Sequence, residues 1–164
     1  MNKYLSIITL NINGLNAPIK RHKVAEWIRK HDSHMCCLQE THLRTKDLHR
    51  LKVKGWKQIF QANKQEKISG VAILISDKIY CKARTLRRDP EGHFIILKGR
   101  IHQEDINIVN IYVPNIGSPK YIKKILQDFK KDIDINTFIL GDFNLQLSKM
   151  NRSFKQNNNK DITQ

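Results

Sequence analysis

Long apolar runs are missing from this sequence. None reaches the roughly 18 residues that a bilayer-spanning helix needs, so no membrane partner is expected. Cysteine is scarce and badly spaced for a metal. Cys36, Cys37 and Cys81 form no CxxC pair, and the first two sit inside the apolar run Met35-Cys36-Cys37-Leu38. That pattern reads as buried thiols in a reducing compartment, not as a zinc site or a disulfide framework. The opening Met1-Asn2-Lys3-Tyr4-Leu5 turns polar too soon for a signal peptide, and the expectation is an intracellular protein. No internal repeat is visible. The other shortage is of negative charge: 15 Asp and Glu stand against 30 Lys and Arg, a net +15.

A surplus of that size leaves a positive potential over part of the surface, and nucleic acid is the commonest polyanion to answer it. A soluble protein that is merely basic is the alternative. An anionic membrane fits less well, because no long basic amphipathic helix stands out. The basic segments Lys20-Arg21-His22-Lys23, His49 to Lys54 and Arg84 to Arg88 supply the candidates for phosphate contact: Lys20, Arg21, Lys23, Arg50, Lys52, Lys54, Arg87 and Arg88. Solvated faces are the plain alternative for each.

The apolar pattern predicts strands over Tyr4–Leu10, Met35–Gln39, Trp56–Phe60, Gly70–Ser76, Tyr80–Leu86, His93–Ile101, Ile106–Tyr112 and Thr137–Leu140. Helices are expected over Ile19–His31, with Pro18 at its start and Val24, Trp27, Ile28 and His31 on one face, and after the Ser118-Pro119 cap, where Ile122, Ile125, Leu126, Phe129 and Ile133 share a face. Thr45 to Lys52 reads as a short basic helix. Arg88-Asp89-Pro90-Glu91-Gly92 is a turn between two strands. With strands in the majority and helices between strand groups, the fold class is layered α/β. The domain is expected over residues 1–148, followed by a polar, disordered tail over 149–164.

Four of these strands end in polar groups that a core would not choose: Asn11; Gln39-Glu40-Thr41-His42; Asn110-Ile111-Tyr112-Val113-Pro114-Asn115; and Gly141-Asp142-Phe143-Asn144. Strand C-termini are where α/β proteins converge on a ligand. Carboxylates, amides and a phenol gathered there suit a hard cation and a phosphate. Magnesium takes oxygen ligands and keeps several waters, so one Glu and one amide oxygen can suffice, and Asp142 can orient or deprotonate a water. Each residue alone has a bland reading: a turn Asn, a Glu paired with a lysine, a core Tyr, a loop Asp. Together these readings require four separate coincidences.

The four motifs, in this order, resemble the endonuclease/exonuclease/phosphatase superfamily. Within it, Leu15-Asn16-Ala17-Pro18-Ile19-Lys20-Arg21-His22, His49-Arg50-Leu51-Lys52-Val53-Lys54-Gly55-Trp56 and Gly70-Val71-Ala72-Ile73-Leu74-Ile75-Ser76-Asp77-Lys78 are similar to the endonuclease of LINE-type retrotransposons. The resemblance implies a two-sheet α/β sandwich with helices on both outer faces, a DNA substrate and a nuclear location. It implies magnesium, with manganese as the alternative ion, held by Asn11 and Glu40. Tyr112 would contact the scissile phosphate, Asp142 would position or activate water, and Asn144 would orient that aspartate. The related alternatives are an exonuclease III-like abasic-site nuclease and a catalytically inert, basic nucleic-acid-binding fragment.

The chain departs from the superfamily in lacking its later Asp strand and its Ser-Asp-His motif. All seven histidines precede Asp142. His42 reads as a neighbour of the metal site, not as a replacement acid–base group. The fold is therefore expected without its C-terminal half, with most of the second sheet missing, apolar strand faces uncovered and catalysis impaired.

Overall fold

The computed structural model describes residues 4–64, 69–113 and 119–143. In chain order the elements are β1 Ile7–Asn11, α1 Pro18–His31, β2 Met35–Gln39, a 3-10 helix Thr45–Arg50, β3 Gln58–Ala62, β4 Val71–Ile75, β5 Cys81–Arg88, β6 Phe94–Ile101, β7 Glu104–Tyr112, α2 Pro119–Phe129 and β8 Thr137–Asp142. The strands form two four-stranded sheets, ordered β1-β2-β4-β3 and β5-β6-β7-β8. In each sheet one pair is parallel, β1 with β2 and β7 with β8, and the others are antiparallel.

Alternation along the central strands explains the layering. On β2, Met35 and Cys37 face a core shared by both sheets, while Cys36 and Leu38 face α1. On β4, Val71, Ile73 and Ile75 take the first side and Ala72 and Leu74 the second. On the other sheet, Ile95, Leu97, Ile106 and Ile108 enter the shared core, and Ile96, Val109 and Ile111 face α2. A strand covered on both faces has no polar side to show, which is why these segments read as continuous apolar runs. Val24 and Ile28 anchor α1, and Ile122, Ile125 and Phe129 anchor α2. The result is a sandwich with a helix on each outer face, as the family resemblance implies.

Several expectations shift. The second sheet was expected to come mostly from outside this chain, but four of its own strands build it, and its inner face is covered by the first sheet. Trp56 precedes β3: it bridges to Val53 and is buried on the α1 side, while the strand begins two residues later. Tyr4, expected in β1, is 80% exposed. His31 lies outside the buried face of α1, stacked on Trp27. Leu126 and Ile133 point to solvent, and α2 ends at Phe129, before Ile133. Ser118 and the expected tail lie outside the described residues.

Candidate active site

The parallel pairs bring four strand C-termini to one end of the sandwich. Asn11 closes β1, Glu40 follows β2, Tyr112 closes β7 and Asp142 closes β8. Two side-chain hydrogen bonds then cross from one sheet to the other. The Asn11 amide Nδ2 donates to Asp142 Oδ2 at 3.0 Å. The Tyr112 hydroxyl donates to Glu40 Oε1 at 2.7 Å. Tyr112 and Asp142 are also register partners on β7 and β8. Gly141, with φ of 144°, makes that pairing feasible, because a Cβ there would overlap the Ile111 carbonyl.

Glu40 sits in a strained turn. Both it and His42 have φ of 54°, a left-handed conformation that costs a non-glycine residue about 1–3 kcal/mol. Backbone bonds on both flanks hold it. Gly14 and Leu15 donate to the Glu40 and Thr41 carbonyls at 2.6 and 2.9 Å. Thr41 and His42 donate to Gly70 and Ser69 at 3.1 Å each. Gly70 must be glycine, since a Cβ would overlap Thr41 Oγ1. In this conformation the Glu40 carboxylate meets the Tyr112 hydroxyl. His42 Nε2 lies 3.8 Å from Glu40 Oε1, a neighbour of the carboxylate but beyond hydrogen-bond reach.

The electrostatics follow from burial. Tyr112 is 7% exposed. Burial first, then the Glu40 hydrogen bond and the charges of Glu40 and Asp142, push its phenol well above the ordinary tyrosine range, so at neutral pH it is a proton donor. Asn11 Oδ1 accepts the Asn13 N–H at 3.1 Å, which fixes the amide so that its oxygen and nitrogen serve different partners. Oxygen donors for a cation are therefore Glu40, Asn11 Oδ1 and Asp142. No cage of three or more His, Cys, Asp or Glu exists among the described residues. One or two carboxylates with an amide oxygen and water suit magnesium, so this donor set fits a loosely held, hydrated ion.

A model of the Endonuclease/Exonuclease/phosphatase family matches residues 8–162. The chain belongs to this family. Of the structural relatives, TDP2 of D. rerio, solved with a single strand DNA product, superimposes with a TM-score of 0.67 at 15% identity over 88% of this chain and 62% of that one. An AP endonuclease from Archaeoglobus fulgidus gives 0.59 at 21% identity, over 84% and 56%. The 3'-5' exonuclease of Neisseria meningitidis gives 0.60 at 24%, over 84% and 57%. These likenesses establish the fold. In sequence, the chain is similar to a transposon TX1 protein of Xenopus laevis, 28% identical over 153 residues. The match takes in 91% of this chain and spans only 12% of that transposon protein. Family membership and a transposon relative agree with the resemblance read from the motifs.

Of the sequence-derived site residues, Asn11, Glu40, Tyr112 and Asp142 meet at one mouth, and Asn144 lies outside the described residues. The basic candidates scatter. Lys20 Nζ donates to the Asn13 carbonyl at 3.0 Å, and Arg21 to the Leu15 and Asn16 carbonyls at 2.9 and 2.8 Å, so these two brace the loop beside Asn11. Lys23 is exposed further along α1. Arg88 Nε donates to the Gln61 carbonyl at 2.8 Å, near the site end of β3. Arg87 is committed to Asp132 and to the rings of Phe94 and Phe129. Arg50 pairs with Asp47, and Lys52 is exposed. Lys54 flanks Gly55, which binds Asp77 at the far end of the sandwich.

Two residues of the strand-end motifs were given no role of their own from the sequence. Gln39 and Asn110, 1% and 0% exposed, bond each other between the sheets directly beneath the mouth. Their signal was an amide within a largely apolar stretch: Gln39 at the end of β2, and Asn110, with Asn107 before it, in β7.

Proposed function

We propose that this chain is a magnesium-dependent DNA phosphodiesterase, the endonuclease of a LINE-type retrotransposon. The observation that carries the reading is the pair of cross-sheet bonds, Asn11 to Asp142 and Tyr112 to Glu40, at a mouth whose donor set suits a hydrated cation. The transposon relative and the DNA-bound TDP2 support DNA as the substrate. The net charge of +15 supports the same substrate class.

Glu40 and Asn11 would hold the ion. When bound, it would stabilise charge on the phosphate oxygens and favour ionisation of a water. The residues of the chain do the rest. The Tyr112 phenol, kept protonated, has one hydrogen to give: it donates to Glu40 and aligns that carboxylate, and would be redirected to the phosphate when substrate is bound. Asp142, oriented by the Asn11 amide, takes a proton from the attacking water as it approaches phosphorus in line. Asn144 is assigned to orienting Asp142 and the phosphate.

Supercoiled plasmid incubated with magnesium and micromolar protein tests this. Nicked circle from the wild type that drops at least about a hundredfold in Asp142→Ala is expected. Equal conversion by the two proteins overturns the reading. Preference for abasic over intact AT-rich duplex would move the assignment to the abasic-site class. A second reading, binding without catalysis, is favoured by the sparse donor set. It predicts DNA affinity that falls steeply with salt and no magnesium-dependent nicking.

A further inference from the structure

Two polar links cross the apolar core shared by the sheets: the half-buried Gln58 of β3 exchanges bonds with the Cys81 backbone of β5 at 2.8 and 3.2 Å, and a second, buried seam lies toward the mouth. From the side of β2, Gln39 Nε2 donates to Asn110 Oδ1 on β7 at 2.8 Å and to Thr9 Oγ1 on β1 at 2.8 Å. From the other side, Asn110 Nδ2 donates to the carbonyls of Leu38 on β2 and Ala72 on β4, at 3.0 and 2.8 Å. Leu38 and Ala72 are register partners, so one amide straddles a rung of the first sheet. Through these bonds β7 is clipped to two strands of the opposite sheet, β2 and β4, and Gln39 carries the link on to β1 within that sheet. The seam lies one step from the mouth. Gln39 pairs with Asn11 and precedes Glu40, and Asn110 stands two residues before Tyr112 on the same face of β7.

We propose that the Gln39–Asn110 pair is the positioning device of the site: it fixes the register between the sheets so that Tyr112 reaches Glu40 and Asp142 reaches Asn11. Apolar faces alone do not specify such a register. Methyl groups packed against methyl groups tolerate small slides at little cost, and lose uniqueness before they lose stability. A buried amide pair with four directed bonds has one low-energy arrangement, because a slide leaves donors and carbonyls unpaired in the core. A displacement of about 1 Å at the mouth would break a 2.7 Å bond such as that from Tyr112 to Glu40. Gln39 and Asn110 do not touch substrate; they act through Glu40 and Tyr112. The role of the positioned residues rests on the nuclease reading, but the positioning itself does not.

The test is therefore read first without metal or DNA. Asn110→Leu keeps the branched four-atom skeleton and removes the amide. Ile108→Val, on the same face of the same strand and fully buried, is the matched control for simple loss of core packing. The phenolic carbon resonance of Tyr112, assigned with Tyr112→Phe, reports its bond to Glu40. In Asn110→Leu it should move to the position found in Glu40→Gln, while Ile108→Val stays at the wild-type position. Magnesium affinity, where the wild type binds the ion, should fall about tenfold in Asn110→Leu, as for other residues that orient a ligand, and should hold in Ile108→Val. If Asn110→Leu does not fold, Gln39→Met removes the other amide while leaving the Asn110 bonds to Leu38 and Ala72, and should displace the same resonance. A wild-type Tyr112 signal in whichever of these two variants folds overturns the proposal, whether or not the protein nicks DNA. So does an equal shift in Ile108→Val.

Discussion

β2, which presents Glu40, lies between β1 and β4 and is buried along all five of its residues. β8, which presents Asp142, pairs only with β7 among the described residues, and leaves Phe138 48% and Ile139 38% exposed. The same contrast runs through the sheets. β4 is buried on both faces, whereas β5 exposes most of its residues and is rich in basic ones. One half of the site is thus held by a clamped central strand and a strained, fourfold-bonded turn, and the other half by a strand at a sheet edge. The cation ligands assigned to Asn11 and Glu40 fall on the firm sheet. The water-directing role assigned to Asp142 falls on the looser one, where the close approach of Gly141 to Ile111 and the Asn11 bond place its carboxylate.

Stability should follow that contrast. Ile73→Ala, in the fully buried centre of β4, should cost about 4 kcal/mol in chemical denaturation, while Phe138→Ala on the edge strand should stay within about 0.5 kcal/mol. Comparable losses at both positions would break the comparison. Gly141→Ala comes next, with a loss of roughly 3 kcal/mol from the positive φ and the overlap with the Ile111 carbonyl. Its damage should appear in hydrogen exchange on β7 and β8 before it appears on β2 and β4. Uniform loss of protection would mean that the two sheets do not differ as described.

Asp132 gives a smaller effect with a defined pH dependence. Its carboxylate ties β5 and β6 to the segment after α2, through Lys98 at 2.8 Å and Arg87 at 3.1 Å. The hydrogen bond from Lys98, chiefly, holds its carboxyl below the ordinary aspartate value of 3.8 against the effect of burial. A depressed folded-state pKa contributes stability that is present above the unfolded value and lost as pH falls through the folded one. Asp132→Asn should therefore cost about 1–2 kcal/mol at neutral pH, with the difference from wild type fading below about pH 4. A gap between the two denaturation curves that persists unchanged well below that range would argue against this assignment.

Much of this was legible in the sequence because local pattern and tertiary role coincide. Met35–Gln39 was bounded correctly since the doubly covered strand is apolar up to Gln39 and the half-buried carboxylate of Glu40 follows it. The helix over Pro18–His31 and the turn after Arg88 carried their own proline and glycine signals. The four strand-end residues stood out because polar groups are costly there unless used. What was illegible involves partners far apart in the chain. Gln39 and Asn110 are 71 residues apart, and nothing local says that these two amides meet. The coverage of the second sheet was missed for a related reason. The apolar pattern shows that β6 and β7 are covered on both faces, but not that the cover comes from this chain's own first sheet. Trp56 was placed in a strand on β propensity, and the packing against the α1 layer decided otherwise.

The division of labour between the sheets is tested most directly by isothermal titration of magnesium into wild type and Glu40→Gln, with DNA binding followed separately in magnesium-free buffer. Magnesium dehydrates reluctantly, and here it would be held mostly through water, so weak binding is expected in the wild type. The charge of Glu40 is the largest local attraction to the cation, so Glu40→Gln should abolish that binding. DNA affinity without magnesium should change little, because it rests on Lys and Arg elsewhere on the surface. Magnesium binding that survives the loss of Glu40 would contradict the assignment of the cation to the first sheet.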